Sequence, residues 1–88
     1  MTLLGADVDQ LDNLSRLFQT ESQKIAASMQ AINSQVHSVW WHGQDADRFR
    51  CDWDGRFRSQ LSNIVTQLED EARNATRQAA EQRNASSH

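Results

Sequence analysis

The sequence predicts an all-α fold: an antiparallel helix-turn-helix hairpin that pairs into a four-helix bundle dimer. Three observations carry this. Apolar residues recur at every seventh position through the first half of the chain, and at every third or fourth position through the second half. Between the two halves lies a glycine, in a chain of 88 residues with three glycines and no proline. Apolar stripes of this period belong to helices that lie along other helices. A short connection around one glycine makes them antiparallel neighbours.

The first helix is expected over about residues 7–40. Leu4, Leu11, Phe18, Ile25, Ile32 and Val39 stand seven apart, with Val8, Leu14, Met29 and Val36 at offsets of three or four. Most other places hold polar residues such as Asp9, Gln19 and Lys24. Asp7 is the expected N-cap, with Gln10 three residues on completing a pair of the capping-box type. The turn is expected over about 41–44, in "SVWWHGQDADRF". Gly43 is the natural left-handed residue that closes a helix. Trp40 and Trp41 would then end the first helix, where a large ring can pin the start of the second, with Phe49 and Trp53 meeting it from the other side.

The second helix is expected over about 45–80, started by Gln44 or Asp45, with Asp45 and Asp47 matching the positive end of its dipole. Its stripe runs Phe49, Trp53, Phe57, Leu61, Ile64, Leu68, Ala72, Ala75, Ala79. The side chains shrink along it from aromatic to aliphatic to alanine. Residues 81–88, "EQRNASSH", have no periodicity and read as a flexible tail. The expected seam of hairpin and dimer is therefore Leu11, Phe18, Ile25, Ile32, Phe49, Trp53, Phe57, Leu61, Ile64 and Leu68. One hairpin has a single internal seam, so much of this stripe needs a second hairpin to cover it.

Composition limits the classes of function. Eighty-eight residues make one domain, and 38% hydrophobic residues are few for a self-sufficient core. A formal charge of -3 argues against nucleic acid, whose phosphates call for a basic surplus. The start, "MTLLGADVDQ", has neither the basic nor the continuous apolar region of a secretory leader. No run approaches the roughly twenty apolar residues of a membrane span. One cysteine, Cys51, excludes an internal disulfide framework.

Little chemistry is visible. His37 and His42 straddle the expected helix end and His88 is terminal, and Cys51 does not complete a zinc ligand set with them. Neither metal nor cofactor is expected. Cys51 beside a histidine and aspartates has no oxyanion-hole loop around it, and it reads as a partly packed thiol rather than a nucleophile. No catalytic residue is therefore assigned, and an enzyme is not expected. Arg48, Arg50, Arg56 and Arg58 alternate with Asp45, Asp47, Asp52 and Asp54, which suits local pairs such as Asp52 with Arg56 and Asp54 with Arg58.

Trp41-His42-Gly43, near mid-chain between two amphipathic helices, resembles the motif of the WXG family, the small helical-hairpin, early-secreted-antigen-like proteins of actinobacterial and firmicute type VII (ESX) secretion. The following "GQDADRFRCDWDGRFR" is similar to the segment after the motif in many actinobacterial members, with an aromatic residue, Phe49, eight positions past Trp41. The resemblance runs from about Leu4 to Ala80. It implies a hairpin that pairs with itself or with a related WXG-type chain, and a non-catalytic secreted substrate or helper subunit. It also implies synthesis in the cytoplasm and export without a cleaved signal by a membrane-embedded secretion ATPase. Such export uses a C-terminal signal with a tyrosine four residues before an acid, and this chain has no tyrosine. A partner carries the signal, another feature replaces it, or the chain stays inside as a chaperone or adaptor for a larger effector.

Overall fold

The structure is a computed structural model that describes residues 5–86. Leu4, His88 and the last residues of the expected tail lie outside this range. Every regular element among the described residues is helical, and the chain folds as a helical hairpin. Helix α1 is Val8–Ser38; α2 is Gln44–Asp52; a π-helical turn, Trp53–Phe57, joins α2 without a break to α3, Arg58–Ser86. The hairpin is 67 Å long and 17 by 15 Å across, with its two helical arms side by side.

Asp7 caps α1 as the sequence indicates, its Oδ1 accepting the Gln10 N–H at 3.0 Å. The far end departs from expectation. α1 stops at Ser38 and Val39 is already extended (φ -64, ψ 136), so Trp40 and Trp41 sit in the connection and not in the helix. Gly43 is not the left-handed closing residue of α1 but the N-cap of α2, at φ 123 and ψ 178. The expected caps, Gln44 and Asp45, lie inside the first turn. Two causes are visible. Val39-Trp40-Trp41 is a β-branched and aromatic run that favours extended backbone. The carbonyls left open at the end of α1 are taken up from outside by Arg50, described below, which removes the need for a glycine cap there.

The second helix also runs further than the sequence suggests. Residues 81–86 remain helical, because contact with α1 continues: Ala79 is fully buried, Gln82 is half-buried, and Arg83 pairs with Asp12 near the start of α1.

Within the chain, the seam is built from small residues. The buried residues are Ser15 and Ser22 on α1, Ala72, Ala75 and Ala79 on α3, and Ala46 and Trp53 nearer the turn. Ser15 Oγ donates to the Ala72 carbonyl at 2.8 Å and lies 2.7 Å from Thr76 Oγ1, while Ser22 Oγ donates back to Gln19 O. Each buried hydroxyl is thereby satisfied, and the short side chains let the two helices approach closely. Among the large seam residues expected from sequence, only Trp53 is buried inside the single chain. Leu11, Phe18, Ile25, Leu61 and Leu68 are half-buried, and Ile32, Phe49, Phe57 and Ile64 are 41–48% exposed.

Candidate functional site: the turn and the apolar face beside it

The turn is held by Arg50. Its guanidinium donates through Nε to Val36 O at 3.0 Å, through Nη1 to Trp41 O at 2.9 Å and through Nη2 to Val39 O at 3.1 Å. One planar fork from α2 thus closes the end of α1 and the loop beyond it, a geometry lysine cannot reproduce. In the sequence Arg50 is one of four arginines alternating with acids, and nothing in that alternation distinguishes it.

The extended backbone at Val39 sends neighbouring side chains to opposite sides. Val39 and Trp41 turn toward the hairpin, and the Trp41 ring meets Phe49 at 5.7 Å between centroids. Trp40 points away, 85% exposed, with His42 edge-on to it at 5.1 Å. The expected aromatic contact across the turn is therefore Trp41 with Phe49. Trp53 does something else, donating its indole N–H to Asn33 Oδ1 at 3.0 Å.

The π turn places Trp53 there. Ala46 and Trp53 are seven apart and both buried, while the next seam residues are Leu61, Leu68 and Ala75, so that the step from Trp53 to Leu61 is eight. In a continuous α-helix that extra residue would rotate α2 by about 100° relative to α3. The π turn absorbs it, with the Arg58 N–H bonding five residues back to Trp53 O. The signal is in the sequence, because Phe49, Trp53, Phe57 and Leu61 are spaced four, four and four with no three between them. The turn also breaks the expected pairing of Asp52 with Arg56, and the Arg56 guanidinium lies over the Phe57 ring at 4.8 Å instead. Asp54 meets Arg58 at 3.8 Å and, across the hairpin, His37 Nε2 at 2.9 Å.

Helical periodicity sorts the rest into two faces. Gln19, Gln23, Glu69 and Arg73 line a shallow groove with Ser22, Ala26 and Val65. The opposite face holds the half-buried and exposed large residues: Leu11, Phe18, Ile25 and Ile32 from α1, Phe57 from the π turn, and Leu61, Ile64 and Leu68 from α3. At the turn end this face opens into an apolar cleft of about 260 Å³ lined by Ile32, Gln35, Val36, Val39, Trp41 and Phe49. Among the described residues no group of three or more His, Cys, Asp or Glu side chains could hold a metal ion, and no helix is long and apolar enough to cross a membrane. Cys51 is exposed on α2 rather than partly packed.

The fold and this site together define a helical hairpin with one uncovered apolar face and a W-x-G turn at its end. No protein-family model matches the chain, and no curated protein or solved structure matches it.

Proposed function

We propose that this chain is a small, non-catalytic protein of type VII (ESX) secretion that works as half of a four-helix bundle. Its partner is a second copy or a related WXG-type chain, and the pair is a secreted substrate or a helper carried with one. The observation that supports this most is the combination of the Trp41-His42-Gly43 turn, clasped by Arg50, with an apolar face running from that turn along both helices. A single hairpin has no use for such a face, whereas a bundle does. Recognition is by surface. The paired faces hold the bundle, and the turn, with exposed Trp40 at its tip and the tail of a partner beside it, is what the secretion ATPase reads. The chain is made in the cytoplasm and released without a cleaved leader.

The test is to express the tagged chain in a bacterium with a type VII system and follow it in the culture medium, with and without the system's ATPase. Release that depends on the ATPase supports the reading; release that ignores it refutes export by this route. The exposed apolar residues of the hairpin also suit a second reading, in which the chain pairs inside the cell with a larger effector as its chaperone or adaptor. A large protein co-purifying from the cell, with no chain in the medium, selects that one.

A further inference from the structure

Close backbone approach between the two arms of the hairpin is confined to α1 against α3, where the buried serines and alanines meet. The backbones of α2 and the π turn stand off from α1. We infer that α2, with the connection before it, is a cap that releases from α1 as one unit at the π turn while α1 and α3 stay packed, and that Arg50 is its latch. The inference concerns a single chain and stands whatever that chain pairs with.

Burial marks out the cap. Of the nine residues of α2 only Ala46 is buried, and every residue over 39–43 is exposed. Elements with little buried apolar surface open at a lower free energy than the whole fold. A helix of nine residues does not persist in water by itself. Once released, α2 therefore loses its internal hydrogen bonds.

The attachment is made by side chains. Among the described residues, three contacts of this kind tie α1 to the segment after the turn. Asn33 with Trp53 and His37 with Asp54 hold the π turn, and buried Trp53 keeps that turn on the seam. From α2 itself comes one bond, Arg50 Nε to Val36 O. The same guanidinium also holds Trp41 O and Val39 O. When it leaves, α2 and the connection let go together.

The π turn is where the cap parts from the rest. Its bond from Arg58 N–H to Trp53 O spans five residues, so the regular α ladder is interrupted between α2 and α3. The closed structure does not call for Gly55 at its centre: φ there is not positive, and an added Cβ would have nothing within 4 Å. Glycine gains more backbone freedom than alanine on leaving a helix, which favours parting at this point. Release separates Phe49 from Trp41 and takes away one wall of the apolar cleft. The turn end then has two shapes, clasped and open.

Amide hydrogen exchange, followed by NMR on the whole chain where reclosing outruns exchange, tests this. Protection over 48–53 should be uniform, and about ten-fold or more below that over 72–79. Ser15→Ala should lower protection over 72–79 by roughly five- to thirty-fold and leave 48–53 unchanged. Arg50→Met should lower protection over 48–53 by about ten-fold or more, whereas Gly55→Ala should raise it about five-fold. A Ser15→Ala chain that loses protection equally in both segments would show one cooperative structure and overturn the inference. A gradient of protection along α2 would overturn it too, because that marks fraying from Gly43. Unchanged protection over 48–53 in Arg50→Met would remove Arg50 as the latch.

Discussion

Deleting a residue from the middle of a helix normally rotates everything beyond it by about 100° and is destructive. Deletion of Gly55 should be the exception here. It restores a spacing of seven between Trp53 and Leu61, so that α2 and α3 keep their common seam as one ordinary α-helix with no π turn. A Cβ at Gly55 would have nothing within 4 Å, so no packing is lost with it. Removing a glycine from a helix interior contributes about 1 kcal/mol. Against that stands the half-exposed His37–Asp54 pair, whose geometry shifts and whose loss costs about 0–1 kcal/mol. The two nearly cancel, and the melting temperature should stay within about 4–8 °C of the parent, the equivalent of about 1 kcal/mol in a domain of this size. Deletion of Gln67 is the control. It turns Ala72, Ala75 and Ala79 off the seam and separates Ser15 from Ala72 O, and the cooperative melt should disappear. Circular dichroism at the helical band, scanned with temperature, reads both. A Gly55 deletion as damaging as the Gln67 deletion would refute the account of the π turn.

Arg50→Met leaves three carbonyls without their donor; counting the half-buried bond to Val36 at about 1.5 kcal/mol and the two exposed ones at about 0.5 each, the loss is about 2.5 kcal/mol. Arg50→Lys should recover less than half of it by thermal melt, and full recovery would show that charge alone suffices. Gly43→Val forces a β-branched residue to φ 123 and should destabilise by about 1–3 kcal/mol; an unchanged melting temperature would contradict the described turn. Ser15→Ala loses the hydrogen bonds to Ala72 O and Thr76 Oγ1, about 1–2 kcal/mol, whereas Ser15→Leu wedges the helices apart and should cost more, as denaturant titration will measure. Leu61→Asp should abolish association at concentrations where the parent is paired before it abolishes helicity, as light scattering and circular dichroism together will record.

Much of the fold is legible from periodicity because a helix repeats its surface every few residues. Two helices, their antiparallel order and the Asp7 cap follow from local rules. What is illegible depends on contacts made at a distance. The end of α1 at Ser38 is set by Arg50, twelve residues further on, and nothing local marks that arginine out from Arg48 or Arg56. Ser15 and Ser22 stand in the same heptad row as Val8, Met29 and Val36, yet they read as interruptions of an apolar stripe. They are its closest-packed part, recognisable only once Ala72, Ala75 and Ala79 are set against them. The π turn was legible in principle from three successive steps of four, since alternation with steps of three is what keeps a stripe on one side of a helix. At the turn, Trp41 and Phe49 follow from their spacing. The exposure of Trp40 follows only from extended backbone at Val39.

The central claim is that one hairpin is half of a structure, and the most direct test is absolute mass in solution measured by light scattering across a dilution series, with a thermal melt at each concentration. The account predicts twice the mass of a single chain, or a defined complex with a co-expressed relative, and a melting temperature that falls as the protein is diluted. A monomer at every concentration, melting cooperatively at one fixed temperature, would contradict it.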